Sequence, residues 1–293
     1  MAELSSRAGY PLVSVLTPSY NQGRWLADNL HSVAVQTYPH IEHIVMDGGS
    51  TDESVAVLEV ADPPVVWRSE PDNGQPHALN KAFAASSGEI IGWLNSDDAF
   101  YDARVVADVV DYFERHTDVD VVYGHAARIT ADGRIVYFVW VPPFSYGLMK
   151  MLCFLIQPAV FLRRSALEGL FIDESYQFAM DWELWLRIGR THRFARMNRV
   201  LAIDRLQPDR KMKTWLPVLE ENRVRLGEAY GVHMPWYYNL VERLYYLCTR
   251  LGGGRFAFEV PGDLAFTGRQ DSRATIFKRQ VFSRKAKWPA EFK

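Results

Sequence analysis

Four times within the first 125 residues, a short run of aliphatic and β-branched residues ends in a polar loop and gives way to a helical pattern. The runs are "LVSVLTPSYN", "IEHIVMDGGSTD", "VVWRSEPDNGQ" and "EIIGWLNSDD". After the first, "GRWLADNLHSVAVQT" puts Trp25, Leu26, Leu30, Val33 and Ala34 on one helical face. The others are followed by "ESVAVLEVA", by "PHALNKAFAASS" with Pro76 at a helix start, and by "ARVVADVVDYFERH". This alternation predicts a parallel sheet with crossover helices. Ligands of such sheets bind at the carboxyl ends of the strands, so four polar exits in a row predict one site.

The fourth exit is the most demanding. Ile90, Ile91, Trp93 and Leu94 run straight into Asn95, Ser96, Asp97 and Asp98. Adjacent carboxylates repel and resist burial, so the stretch is either a turn with a cap or a cation site at the sheet edge. Asp47 also stands at a strand end, where its carboxylate suits a base or ribose; behind it, Ser50 and Glu53 have the spacing of a helix capping box. No GxGxxG follows either early strand, which disfavours a dinucleotide-binding dehydrogenase. Pro18 and Asn21 suit a turn, and Tyr20 offers a ring face to a nucleobase. Asp72 to Gln75 form another turn, with Asn80 and Lys81 on the helix behind it.

From residue 121 the pattern changes. "DVVYGHAARITADGRIVYF" predicts a hairpin turning at Asp132-Gly133. Residues 142–170 suit the wall of a pocket, and "DWELWLRIGRT" is a helix with Leu184, Trp185 and Ile188 on one side. Beyond 206 the chain reads as helical and aromatic. Tyr237, Leu240, Val241, Leu244, Cys248 and Leu251 share a face expected chiefly to pack on the preceding domain, although the basic end "IFKRQVFSRKAKW" also suits an interfacial helix. A net charge of -2 gives no reason to expect nucleic acid. Cys153 and Cys248 read as core thiols of a reducing compartment, and the eight histidines lack zinc-ligand spacing. The first residues hold no apolar run, and "GLMKMLCFLIQPAVFL" is short and broken by Lys150, Gln157 and Pro158. The expectation is a soluble cytoplasmic protein with scope for peripheral contact at the inner face of a membrane.

Taken in order, "VSVLTPSYN", "IVMDGGSTDES", "EPDNGQPHALNKAF", "GWLNSDDAF", "QPAVFLRR" and "AMDWELWLR" resemble the family 2 glycosyltransferases, across residues 11 to 205. The resemblance implies an inverting, metal-dependent enzyme of the A-type glycosyltransferase fold: a mostly parallel Rossmann-like α/β sheet flanked by helices. It places a catalytic domain at 1–205, with a nucleotide-binding half at 11–125 and an acceptor half at 126–205, and a helical C-terminal extension at 206–293. Thr17, Pro18, Tyr20 and Asp47 would then hold the nucleoside, and Asp72, Asn80, Lys81, Asn95 and Ser96 belong with the donor site. Asp97 matches the aspartate that holds Mn²⁺ or Mg²⁺ on the diphosphate, with Asp98 as second ligand or support; Asn95 stands where a first aspartate is usual. Asp181 matches the general base, in Met180-Asp181 where Glu-Asp is common. Related enzymes often carry a histidine near Gln207 that completes the metal site, and Arg163 and Arg164 suit diphosphate, acceptor or a surface salt bridge. The implied partners are a nucleotide-sugar donor, UDP first, and a glycan, lipid-linked or other hydroxyl acceptor. The alternatives are a sugar-phosphate nucleotidyltransferase and a non-catalytic sugar-nucleotide or glycan-binding module.

Overall fold

The computed structural model describes residues 10–167, 169–207, 216–252 and 265. β1 (Val13–Ser19), α1 (Gly23–Ala34), β2 (Ile41–Asp47), α2 (Ser54–Glu59), β3 (Val66–Ser69), α3 (Gln75–Ala84) and β4 (Ile90–Trp93) alternate as the sequence predicts. β5 (Ala99–Phe100) and α4 (Val105–Arg115) follow, then the hairpin of β6 (Val121–Thr130) and β7 (Ile135–Val139). α5 (Tyr146–Met149), β8 (Val160–Arg163), α6 (Met180–Ile188), β9 (Phe194–Leu206), α7 (Leu216–Tyr230) and α8 (Tyr238–Gly252) complete the order. Gly133, with φ +85, makes the hairpin turn that a side chain would strain.

All these strands share one sheet, in the order β3-β2-β1-β4-β8-β6-β9-β5, with β7 also on β6. β3, β2, β1 and β4 are mutually parallel, so their four exits open along one edge. Beyond β4 the sheet is mixed: β8 runs antiparallel between β4 and β6, and β5 antiparallel to β9. Within the first half, β1, β4 and most of β2 are buried on both faces, which is why they read as continuous apolar runs, while the edge strand β3 is partly exposed. One face packs Val13, Val15 and Val45 beneath α1, α2 and α4. The other packs Leu16, Ile44, Ile91 and Trp93 beneath α3 and α6, and Leu226 of α7 joins that cluster.

Several expectations are corrected. Ala34 is exposed at the last turn of α1, past the apolar stripe. The Ser50–Glu53 capping box does not form: α2 starts at Ser54, and the Ser50 hydroxyl donates to Asp47 Oδ1 instead. Arg163 donates to the carbonyls of Val119 and Phe113, and Arg164 to the Gly88 carbonyl and Ser86. Both therefore tie loops together at the amino end of the sheet, away from any ligand edge. Cys153 is half-buried on a cavity wall, and burial raises its thiol pKa. Leu240 and Leu244 point to solvent, not into the domain. The burial of Cys248 and Leu251, and the basic stretch 276–288, lie outside the described residues. Among the described residues, no helix is long and apolar enough to cross a membrane.

Two histidines are sealed in the core. His43 on β2 meets Thr17 Oγ1 at 2.9 Å, and burial drives its pKa down to about 3. Burial likewise lowers His125 to about 4. Since the unfolded chain takes up these protons first, their stabilising effect is complete above about pH 6.5 and is lost as pH falls below it. Urea midpoints of wild type and His43→Gln, compared at about pH 7.5 and about pH 5, should show the wild type losing more stability, by up to about 1.4 kcal/mol per pH unit.

Candidate active site

The four parallel exits converge on a cavity of about 730 Å³, lined by Pro18, Tyr20, Gly48, Asp72, Asp97 and Gln207 among others. The loops at this edge are stitched to one another. Asn21, at φ +50, accepts from the Thr51 amide at 2.8 Å and donates its own amide to Ser50 Oγ. Asp52 accepts from the first amide of α1, at Gly23 (2.9 Å), so the β2 exit caps the helix behind the β1 exit. Asp47 is fully engaged within this loop: its Oδ2 accepts from the amides of Gly49 and Ser50 and from Ser69 Oγ. The carboxylate that faces the cavity in its place is Asp72, whose Oδ1 accepts from the Gly74 amide at 2.7 Å. A Cβ at Gly48 would lie 2.9 Å from Asp72 Oδ2, so glycine keeps that carboxylate's place clear.

The β4 exit is held from two sides. From α1, the Asn29 side-chain amide donates to the carbonyls of Asn95 and Asp98, at 2.8 and 3.1 Å. From the end of β9, Arg205 donates Nε to the Asp97 carbonyl (3.1 Å) and its backbone amide to Asp98 Oδ1 (3.2 Å). The antiparallel pairing of Ala99 with Ile203 makes this possible, because it carries Arg205 and Gln207 back along the loop. Arg205 is itself buried and meets Asp28 Oδ2 at 2.7 Å. Gln207 Nε2 donates to Asp97 Oδ2 at 2.6 Å.

Asn95 is saturated. Its Oδ1 accepts from Gln75 Nε2 and Trp93 Nε1, both at 2.8 Å. Its Nδ2 donates to Gln157 Oε1 (2.8 Å) and Asp98 Oδ2 (3.1 Å). An aspartate here would lose both donated bonds and set a second charge against Asp98. The departure from the family pattern therefore completes an amide network, Gln75–Asn95–Gln157, that Gln157 anchors on the Trp93 carbonyl.

Across that network lies a second cavity, of about 480 Å³, which shares Gln75, Asn95 and Asp98 with the first and holds Asp181. Asp181 opens α6 and accepts from the Trp182 amide at 2.8 Å. Its side chain is half-buried on the wall of that cavity. Desolvation pushes its pKa up to about 6, outweighing the amides that favour the charged form.

Of the remaining expected residues, Thr17, Asn80 and Lys81 fall outside both linings. Thr17 is buried against His43. Asn80 spends its amide on Ile172 and Glu174, fixing the segment that leads to α6. Lys81 pairs with Glu70 at 2.6 Å. Ser96 lines the first cavity but is buried against Gln22 Oε1 at 2.5 Å. Sequence reasoning missed Arg205, Asn29 and the role of Gln157. The available signal was Asp204-Arg205 inside an apolar strand, since buried charges require partners.

Among its described lining residues the first cavity holds Asp72, Asp97 and Asp98 and no Lys or Arg. No group of three or more His, Cys, Asp or Glu among the described residues makes a metal cage. This donor set suits Mg²⁺ or Mn²⁺ shared between one or two carboxylates and a diphosphate. Asp97 is half-exposed on this wall, whereas Asp98 is buried.

The family model for glycosyl transferase family 2 matches residues 14–171. An uncharacterised glycosyltransferase of Mycobacterium tuberculosis is 40% identical over 116 residues, 39% of this chain and 44% of that protein, so the chain matches under half of that relative's length. Among solved structures, S. aureus TarS 1-349 in complex with UDP-GlcNAc aligns at 19% identity and TM-score 0.58, covering 69% of this chain and 61% of that one. The mannosyltransferase PcManGT from Pyrobaculum calidifontis, in complex with GDP-Man and Mn²⁺, aligns at 18% identity and TM-score 0.58, covering 83% and 72%. These likenesses establish the A-type fold.

Arg205→Met leaves Asp28 without its buried partner and unties the Asp97–Asp98 loop. It should cost about 3–5 kcal/mol of stability in urea unfolding, and Asp28→Asn added to it should recover part of that loss.

Proposed function

The chain belongs to glycosyl transferase family 2, and from that premise we propose that it moves a sugar from a nucleotide-diphosphate donor in the larger cavity to an acceptor hydroxyl in the smaller one, with inversion. One observation carries the reading: a desolvated carboxylate, Asp181, faces a cavity that abuts the donor cavity across Gln75, Asn95 and Asp98. A base near pH 6 is ionised at neutral pH yet still basic enough to accept a proton. As the acceptor oxygen attacks the anomeric carbon, Asp181 takes its proton. The bond to the diphosphate breaks, and its electron pair leaves with the diphosphate on the opposite side. Family membership sets aside the nucleotidyltransferase alternative.

On the donor side, Asp72 is placed for the base or ribose, Tyr20 offers an exposed ring at the rim, and Asp47 acts through the loop it organises. Asp97, backed by Asp98 and Gln207, would hold the divalent cation. A bound cation supplies positive charge to the departing diphosphate. The charged residues of the described lining are all acidic, which favours this arrangement, because among them a diphosphate would otherwise meet only like charge. UDP is favoured for the nucleotide, in keeping with TarS, although PcManGT holds GDP-Man.

Two experiments divide the roles. In isothermal titration of UDP, GDP and dTDP with Mn²⁺, Asp97→Ala should weaken binding by about tenfold or more, beyond any loss from Asn95→Ala. Excess EDTA should have the same effect on wild type, and unchanged affinity would remove the cation from the site. Asp181→Asn should keep nucleotide affinity while single-turnover transfer falls by roughly 10²–10⁴. In wild type that rate should drop about tenfold per pH unit below about pH 6, as Asp181 takes up a proton. Equal rates in the variant would take Asp181 out of the reaction, and lost nucleotide affinity would move it to the donor site.

A further inference from the structure

α8 presents two different sides. Inwardly, Tyr238, Glu242 and Tyr245 line the cavity that holds Asp181, and the Tyr238 hydroxyl donates to Glu242 Oε1 at 3.2 Å. Outwardly, Leu240, Leu244 and Leu247 are half-exposed at helical spacing, and Trp236, just before the helix, is 94% exposed. A helix with one side on the protein ordinarily shows charge on the other. Here the charged residues of 233–247 are Glu242 and Arg243; Glu242 is turned to the cavity, so the outer side is left with an exposed cation.

The cavity behind this helix adds an independent observation. Asp181 sits there with Leu152, Leu155, Ile156, Phe178 and Trp182 on one part of the wall and Arg128, Asp204, Arg223 and Glu242 on the rest, a mixed setting that suits an amphiphilic acceptor with an apolar body beside its polar, hydroxyl-bearing part. A second copy of the chain would account for the outer stripe but not for these apolar walls. A bilayer that presents an amphiphilic acceptor accounts for both. Trp and Tyr next to a leucine stripe are the side chains that settle at a membrane interface. In sequence, residues 276–288 add Lys278, Arg279, Arg284, Lys285 and Lys287 with no acidic residue among them, which complements anionic headgroups.

We propose that the outer side of α8, from Trp236 to Leu247, docks on an anionic bilayer surface and brings the Asp181 cavity to a lipid-linked acceptor. The docking stands on the exposed stripe together with the basic charge; the acceptor class rests on the transfer reaction proposed above. The test is flotation of the full chain, without nucleotide, on vesicles of phosphatidylcholine mixed with phosphatidylglycerol in equal parts, and on phosphatidylcholine alone. Wild type should float with the anionic vesicles. Leu240→Glu with Leu244→Glu should cut the bound fraction at least about tenfold, and Trp236→Ala should cut it partly. Nucleotide affinity, titrated separately, should not change, so failure of the donor site and failure of docking remain distinct results. Wild type that does not float, or a double variant that floats equally well, would overturn the proposal. So would a wild-type dimer in sedimentation that the double variant dissolves while neither floats, since a second copy would then cover the stripe.

Discussion

Arg205 reaches the Asp97 carbonyl, the Asp98 carboxylate and Asp28 from a single position at the end of β9. Two acidic side chains in succession at the end of a buried strand repel one another, and nothing in β4 compensates them. Arg205 holds them instead: its buried guanidinium pairs with Asp28 and donates to the Asp97 carbonyl while its backbone amide meets the Asp98 carboxylate, and this set of donors fixes the loop in one geometry. Because β9 is also the parallel neighbour of β6 along most of its length, the loop is tied to the mixed half of the sheet as well as to the parallel half. Asn29 completes the bracket from α1. The carboxylate edge of the larger cavity is therefore a property of the whole sheet and not of its own turn.

The amide network at Asn95 separates and joins the two cavities. Its members are neutral amides, so it adds no charge to a site that already has Asp72, Asp97 and Asp98. Asp181 lies beyond it, and the two cavity environments push the aspartates to different tasks. Gln207 shares Asp97 at the edge of the donor side, while dehydrated walls raise the pKa of Asp181. Groups of one chemical type thus meet different surroundings, and the proposed roles of ligand and base follow that difference.

Much of this was legible in the sequence. Period and turn chemistry gave β1 to β4 with their helices, the Asp132-Gly133 hairpin and the buried side of α6, because each is a local pattern with a local cause. Strand β8 was not legible: Val160–Arg163 lies within a long apolar stretch, where a buried strand and a buried helix look alike. Asp97 and Asp181 were readable as members of an ordered motif set, and both line cavities. Asp47 and Asp72 could not be sorted, since a strand-end carboxylate can serve its own loop or face a ligand, and only tertiary contacts decide. Arg163, Arg164 and Asn80 failed for a related reason. Their long or polar side chains reach across the fold to backbone groups that no spacing in the sequence reveals.

The central claim is geometric: donor and base occupy abutting cavities, so the attacking oxygen arrives from the side opposite the diphosphate in a single displacement. The most direct measurement is the configuration of the sugar at the moment of release. With water as acceptor, proton NMR of the first turnovers of a UDP- or GDP-sugar reports the anomer from its coupling constant before mutarotation. The account predicts the inverted anomer. A retained anomer would require two displacements or attack from the donor side, and would contradict the placement of Asp181 as the base.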